Sequence, residues 1–246
     1  MSDLDWFFTE SSGAVGDKLL ITGEDAKHIT KSLRMAVGES LTLCDNQGFE
    51  HLCRIDRISP DGVSVTVVTK EECTHEPDVK LTLYFALTKG DKPEIVIQKA
   101  VELGAAVIVP VLTERCISRP DRKGAENKLQ RYRKIAYQAA MQSRRGIIPE
   151  VRPLTELKSV KSELSEYDKA ILFYEGGGEP LRKLIGENDK SIAVFIGPEG
   201  GFEESETEKL QSAGALTATL GKRILRAETA PLAAITAIML LTGNLE

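Results

Sequence analysis

The sequence has no long apolar run, and this absence is the first constraint on what the protein is. The longest apolar stretch in the 246 residues, at 232–241, contains Thr236 and is too short to cross a bilayer. The amino terminus lacks the apolar core typical of a signal peptide. We therefore expect a soluble, cytoplasmic protein without a membrane partner.

Cysteine and histidine are scarce and are not spaced as metal ligands. The four cysteines are Cys44, Cys53, Cys73 and Cys116, and the three histidines are His28, His51 and His75. No Cys-x-x-Cys pair occurs, which favours reduced thiols over a disulfide framework. Cys44, His51 and Cys53 would need a fourth ligand that the local sequence does not offer, so the pattern predicts no metal.

Three common catalytic signatures are also missing. The sequence contains no Gly-x-x-x-x-Gly-Lys-Ser/Thr loop, no Gly-x-Gly-x-x-Gly and no Gly-x-Ser-x-Gly. Their absence removes the usual nucleotide-hydrolase, dinucleotide-binding and serine-hydrolase interpretations.

Charge is spread unevenly along a chain whose net charge is −5. Residues 1–72 carry 7 basic and 13 acidic side chains, whereas residues 79–160 carry 16 basic and 8 acidic ones. A basic middle third permits a local site for a polyanion such as RNA despite the acidic total.

The first 72 residues predict a small β-barrel, because short apolar or alternating runs are separated by glycine-rich turns. One helix, over residues 23–34, interrupts the strands and places Lys27, Lys31 and Arg34 on one face. That face either contacts RNA or is simply solvated. The polar residues 73–78 predict a linker.

From residue 79 to residue 246, strands and helices alternate, which predicts an α/β domain with a parallel sheet. A long helix over residues 125–142 has an outward stripe that includes Arg131 and, if the helix continues, Arg145. The terminal helix, residues 229–241, is apolar nearly all round. It packs in the core or against a second subunit, and we favour a subunit interface.

Two glycine-containing loops follow predicted strands of this domain. Residues 196–201, Ile-Gly-Pro-Glu-Gly-Gly, come after one buried strand, and residues 220–228 come after the next. Ligands of α/β sheets bind at the carboxyl ends of strands, so these loops are the predicted site. Residues 176–178, three glycines after another strand, are more typical of a flexible surface turn.

Taken together, these motifs resemble the RsmE family of ribosomal RNA methyltransferases in the SPOUT superfamily. The similarity rests on Ile-Gly-Pro-Glu-Gly-Gly-Phe at 196–202 and Leu-Gly-Lys-Arg-Ile-Leu-Arg-Ala-Glu-Thr-Ala at 220–230. Weaker matches extend over nearly the whole chain, including Lys-Gly-Asp-Lys at 89–92. Two departures are Ala227, where threonine is expected, and Asn46, where glycine is usual.

The resemblance implies a PUA-like β-barrel followed by a SPOUT α/β domain with a C-terminal trefoil knot, and a homodimer. It also implies S-adenosylmethionine as methyl donor and methylation of N3 of one uridine (position 1498 in conventional numbering) in 16S rRNA of the small ribosomal subunit. The positions that match the family's cofactor site are Leu172, Gly197, Gly201, Leu220, Gly221 and Leu225.

Catalysis and RNA contact are assigned to charged residues of the same regions. Arg226 is expected to face the charge that develops on the uracil oxygens, with Glu199 or Glu228 orienting it. Arg115 and Arg145 are candidates for holding phosphate, and Arg131 is a further candidate for RNA contact. Two alternatives stay open: a SPOUT enzyme that methylates a ribose 2′-oxygen or another base, and a non-catalytic RNA-binding factor in ribosome assembly.

Overall fold

The computed structural model describes residues 4–245, which form two compact units. Unit 1 contains the chain through Glu76 together with residues 140–148, and unit 2 contains residues 77–139 and the chain from Pro149 onward. Residues 1–3 of the predicted first domain and Glu246 of the predicted second lie outside the described residues.

Unit 1 is built on a five-stranded sheet in the order β1-β3-β4-β5-β2. The strands are β1 (Trp6–Phe8), β2 (Lys18–Ile21), β3 (Ser40–Cys44), β4 (Phe49–Ser59) and β5 (Gly62–Glu72). All neighbouring pairs are antiparallel except β1 and β3. Phe7, Leu41 and Leu43 of the sheet and Ile29 of the intervening helical segment are fully buried in its core.

The helix predicted over residues 23–34 is shorter and ends irregularly. It consists of α1 (Gly23–Lys27) and one π-helical turn (His28–Ser32). Arg34 lies beyond the helix with a φ of 58°, so it does not continue the face of Lys27 and Lys31. The predicted basic stripe is therefore interrupted before its third member.

Residues 140–148 were predicted to belong to the second domain, but they pack within unit 1. Met141 contacts the core of the sheet, and the Trp6 indole N–H donates to the carbonyl of Arg145 at 3.0 Å. The amide of Ile148 donates to Oδ1 of Asn46 at 2.7 Å. Asn46 has a φ of 57°, a conformation that asparagine tolerates, which accommodates its departure from glycine.

Unit 2 contains an all-parallel sheet in the order β11-β13-β10-β12-β6-β7-β8, with β9 also paired to β7. Its strands are β6 (Lys80–Ala86), β7 (Val107–Leu112), β8 (Glu150–Val151), β9 (Thr155–Glu156), β10 (Lys169–Phe173), β11 (Glu179–Pro180), β12 (Ser191–Ile196) and β13 (Leu216–Thr219). The predicted parallel α/β architecture is confirmed. Its central strands are almost wholly buried, as parallel strands usually are.

The helices that connect these strands are α2 (Lys92–Glu102), α3 (Arg122–Gln142), α4 (Glu204–Ser212) and α5 (Thr229–Leu241). α5 packs against α2, β6 and β12, and buries Ala234, Ile235 and Ile238. Leu240 is 61% exposed, so one face of this apolar helix belongs to the core and another does not.

Between β9 and β10 lies a 3₁₀ helix, Leu157–Glu166. It buries Leu157, Val160 and Leu164, whose spacing of three and four residues fits either helix type. The two-residue strands β8, β9 and β11 were not predicted, because two residues are too few to show a period. Among residues 4–245, no helix is both long and apolar enough to span a membrane.

Candidate functional site

Three loops meet at one edge of the parallel sheet in unit 2. They follow β10, β12 and β13, which are neighbours in the order β13-β10-β12, so their carboxyl ends lie side by side. The loops enclose a cavity of about 350 Å³. This volume falls at the lower end of the range for small-molecule sites, and the position is the expected one for an α/β sheet.

Five of the six residues assigned to the cofactor by resemblance line this cavity: Gly197, Gly201, Leu220, Gly221 and Leu225. Leu172 does not. It lies inside β10, is fully buried and packs in the core with Tyr84 and Phe195. The assignment of Leu172 was therefore misplaced within the strand, and the next two residues, Phe173 and Tyr174, line the cavity instead.

Glycine is required at Gly201 by both conformation and space. Its φ is 70°, in the left-handed region, and a side-chain carbon placed there would overlap the carboxylate of Glu175. Gly197 is also confined, since an added carbon would lie 3.1 Å from the ring of Phe202. These glycines let the β12 loop pass close to the β10 loop without closing the cavity.

The β10 loop is the part of the site that sequence reasoning undervalued. Tyr174 and Glu175 both line the cavity, directly before the three glycines that were interpreted as a surface turn. A side chain at Gly178 would lie 2.7 Å from the backbone of Thr217 on β13, so this glycine permits close approach. A glycine run immediately after a buried strand was the available signal.

A lysine, rather than an arginine, joins the two glutamates predicted as catalytic. Lys92 Nζ, at the start of α2, lies 2.7 Å from Glu199 Oε1 and 3.6 Å from Glu228 Oε2. The hydrogen bond between Lys92 and Glu199 raises the pKa of Lys92 and lowers the pKa of Glu199, so this pair is held ionised. Within the described residues, Glu228 Oε2 is buried and accepts no hydrogen bond.

Arg226 lines the cavity as predicted and is exposed. Its side chain has no hydrogen bond or ion pair to any residue between 4 and 245 in this structure. The expectation that Glu199 or Glu228 orients Arg226 is therefore wrong, because both carboxylates face Lys92 instead. Sequence reasoning missed Lys92, which lies 107 residues from Glu199 along the chain.

Arg115 holds the β12 loop in place. Its guanidinium donates to the carbonyl of Gly200 at 2.6 Å and to both carboxylate oxygens of Glu203, at 2.8 and 3.2 Å. The hydrogen bond between Arg115 and Glu203 lowers the pKa of the Glu203 carboxyl and raises the pKa of the Arg115 guanidinium. Arg115 was predicted to hold phosphate, and this geometry gives it a positioning role in the loop.

The remaining predicted RNA contacts differ in how available they are. Lys27, Lys31, Arg34 and Arg131 are exposed, although Lys27 pairs with Glu24 and Arg131 with Glu94. Arg145 is 4% exposed, and its guanidinium forms a two-point pair with Glu76 at 2.8 and 2.7 Å. The prediction that Arg145 contacts RNA is corrected accordingly: the side chain is a buried structural group of unit 1.

Comparison with known proteins matches both units to described families. Residues 75–239 match the family described as RNA methyltransferase domain, and residues 21–68 match the RNA methyltransferase PUA domain. Ribosomal RNA small subunit methyltransferase E of Bacillus subtilis is 36% identical over 225 residues, which are 89% of this chain and 88% of the relative. The protein of the same name from Buchnera aphidicola is 30% identical over 91% of this chain and 88% of its own.

Among solved structures, the ribosomal RNA small subunit methyltransferase E of Neisseria gonorrhoeae bound to S-adenosyl methionine is similar throughout. The two chains superpose with a TM-score of 0.88 at 32% identity, over 97% of this chain and 98% of the other. The similarity therefore includes the sheet edge and the three loops around the cavity.

Proposed function

We propose that this chain, which belongs to the ribosomal RNA small subunit methyltransferase E family, transfers a methyl group from S-adenosylmethionine to N3 of one uridine in 16S rRNA. The observation that carries the proposal is the cavity at the carboxyl ends of β10, β12 and β13, with Arg226 in its wall as an exposed cation that has no partner among residues 4–245. A neighbour with the same fold, from Neisseria gonorrhoeae, is bound to S-adenosyl methionine.

The residues present fit this methyl donor. The absence of a side chain at Gly201 lets the Glu175 carboxylate lie against the β12 loop in the cavity wall, and a side-chain carbon at Gly221 would meet nothing within 4 Å. Leu220 and Leu225 supply apolar wall, and Glu175 supplies a carboxylate that accepts hydrogen bonds from hydroxyl or amino groups. When bound there, S-adenosylmethionine supplies a methyl group already activated on a positively charged sulfur.

With an activated methyl group, the protein's main tasks are alignment and charge stabilisation. N3 of uracil lies on the base-pairing edge and carries a proton, so the base must be unpaired before it can react. As that proton leaves, negative charge spreads to the uracil oxygens, and Arg226 is the cation placed to stabilise it. Glu199 has a lowered pKa and is therefore a poor base; with Glu228 it positions the Lys92 ammonium at the rim.

RNA contact, oligomeric state and chain topology complete the proposal. Lys27, Lys31 and Arg34 of unit 1 bind RNA phosphates of the small ribosomal subunit in the cytoplasm, with Arg131 adding a further contact in unit 2. The exposed face of α5 around Leu240 forms a homodimer interface. The loops around the cavity belong to a C-terminal trefoil knot, as the family resemblance implies.

The test is transfer of labelled methyl to small-subunit particles and to naked 16S rRNA, followed by mass analysis of the nucleosides. We expect N3-methyluridine from one position. Arg226→Ala should bind S-adenosylmethionine almost normally while transfer falls by about 10²-fold or more, and Arg182→Ala, an exposed arginine outside the cavity, should change neither. A methylated ribose or another base would replace this proposal with the broader superfamily activity, and cofactor binding without transfer to either substrate would favour an assembly factor.

A further inference from the structure

A second group of chemically reactive side chains lies in unit 1, where three strands meet. Cys44 is the last residue of β3 and is paired directly opposite Glu50 on β4. Cys73 follows the end of β5, and its amide donates to the carbonyl of Gly48 at 2.8 Å. Side chains of directly opposed residues lie on the same face of a sheet, so the Cys44 thiol and the Glu50 carboxylate converge on Cys73. His75 lies two residues further along the chain.

The distances within this group are those of ligands around one ion. Cys73 Sγ lies 3.5 Å from His75 Nδ1, which lies 3.9 Å from Glu50 Oε2. These donor atoms are all within 4.8 Å of one another. Two ligands on a tetrahedral zinc ion, one sulfur at about 2.3 Å and one nitrogen at about 2.0–2.1 Å from the metal, are roughly 3.6 Å apart. The pair formed by Cys73 and His75 already has that separation.

Three features show that the group is confined and that one of its oxygens lacks a hydrogen bond. Glu50 Oε2 is buried and has no hydrogen-bond donor among residues 4–245, which is costly for a carboxylate oxygen. The His75 ring is held edge-on against Trp6, with centroids 5.4 Å apart and an interplanar angle of 84°. A side-chain carbon at Gly146 would overlap Cys73 Sγ, so glycine leaves the room that the sulfur occupies.

We propose that Cys73, His75 and Glu50, with Cys44 as fourth ligand, form a Zn²⁺ site in unit 1. Cys44 lies directly opposite Glu50 in the register of β3 and β4, so its thiol is on the same face of the sheet as the other ligands. A set of two sulfurs, one nitrogen and one carboxylate oxygen suits zinc and not magnesium or calcium, which prefer all-oxygen ligands. Zinc binds both sulfurs as thiolates, so whatever thiol protons remain at the working pH are released to solvent on binding. The four ligands leave no open position, so the ion joins the ends of β3, β4 and β5 and performs no chemistry.

Sequence spacing did not predict this site. The ligands are separated by five, twenty-two and one residues, and no metal-binding pattern has that spacing. The strand register brings them together. Cys44, His51 and Cys53 were judged from their spacing to lack a fourth ligand, and the structure brings Cys73, His75 and Glu50 together instead.

The test uses the full reduced chain, freed of metal by chelation and then titrated with Zn²⁺ or Co²⁺. We expect about one ion per chain, with Co²⁺ giving the near-ultraviolet thiolate charge-transfer band and the visible spectrum of tetrahedral coordination. Cys73→Ala should lose the charge-transfer band and the stoichiometric binding, while Cys53→Ala, a buried cysteine elsewhere in the sheet, should keep both. His75→Ala, with His28→Ala as its control, provides the same comparison if Cys73→Ala fails to fold.

Three outcomes would overturn the proposal. One is no stoichiometric binding to the reduced chain. Another is Co²⁺ binding without a thiolate band, which would indicate adventitious surface carboxylates. The third is binding that survives in both Cys73→Ala and His75→Ala. A Cys44–Cys73 disulfide formed in air, together with failure to bind metal after reduction, would assign the two thiols to a redox pair instead.

Discussion

Replacing Gly201 with alanine tests the geometry of the cavity directly. The residue has a φ of 70°, and its added methyl group would lie 2.7 Å from the carboxylate carbon of Glu175. The left-handed conformation costs an alanine roughly 1–2 kcal/mol. The overlap must then be relieved by moving the Glu175 carboxylate, because the three nearest atoms to the added methyl group all belong to it.

Both effects can be measured. A loss of about 1–2 kcal/mol should lower the melting temperature by roughly 2–8 °C for a chain of this size. In the proposed binding mode the Glu175 carboxylate accepts a hydrogen bond from the methyl donor, and losing such a bond costs about 1.5–3 kcal/mol. The Kd for S-adenosylmethionine should therefore rise roughly tenfold to 150-fold. Differential scanning calorimetry and isothermal titration report the two quantities separately.

Gly200→Ala is the matched control. An added carbon at Gly200 would meet only the Arg115 side chain at 3.5 Å, an ordinary contact, and the residue has no positive φ. We expect a change within about 0.5 kcal/mol and an unaltered Kd. If Gly201→Ala binds S-adenosylmethionine as tightly as Gly200→Ala does, then Glu175 does not line the cofactor site and the geometric reasoning is refuted.

Three further predictions follow from the contacts of charged and thiol side chains. Lys92→Met should lower kcat without weakening cofactor binding, because the carboxylates of Glu199 and Glu228 at the rim of the cavity lose their cation. Lys92→Arg should restore part of the rate. Equal kcat values for the two variants would contradict this role. Arg145→Ala should destabilise the protein by about 1.5–3 kcal/mol in chemical denaturation, since it removes a two-point charged hydrogen bond to Glu76, which keeps only its backbone amide donors. The exposed Arg131→Ala should cost at most about 1 kcal/mol. In the metal-free chain, the hydrogen bond from a neighbouring thiol lowers the pKa of Cys73 to about 6, while burial raises the pKa of Cys53 to about 12. The rate of Cys73 alkylation should therefore increase through pH 6 and exceed the rate for Cys53 at neutral pH. Equal alkylation rates, measured by mass spectrometry, would be inconsistent with the structure.

The predicted loops were found because their signal is local. A strand followed closely by glycine marks a place where the backbone must turn sharply: Gly197 directly follows the buried β12, and Gly221 comes two residues after β13. The three glycines at 176–178 also follow a buried strand, β10, but they were interpreted as a surface turn and not as part of the site. Local patterns of this kind could be interpreted without knowing which strands are neighbours.

The missed residues depend on tertiary neighbours. Lys92 reaches Glu199 only because β6 and β12 are adjacent in the sheet, and nothing in the sequence near either residue records that pairing. Arg145 was predicted to be exposed because the outward stripe of α3 was extended one helical turn beyond the end of the helix. The helix ends at Gln142, and Arg144 takes a φ of 58°, which sends Arg145 into unit 1.

The return of residues 140–148 to unit 1 bears on how this protein can be shortened or recombined. A gene fragment ending at codon 76 would encode a polypeptide whose Trp6 indole lacks its carbonyl acceptor and whose Glu76 lacks Arg145. It would also lack Met141, which contacts the sheet core. The amino-terminal unit is therefore not a transferable cassette, and any chimera that exchanges it must exchange two separate stretches of coding sequence together.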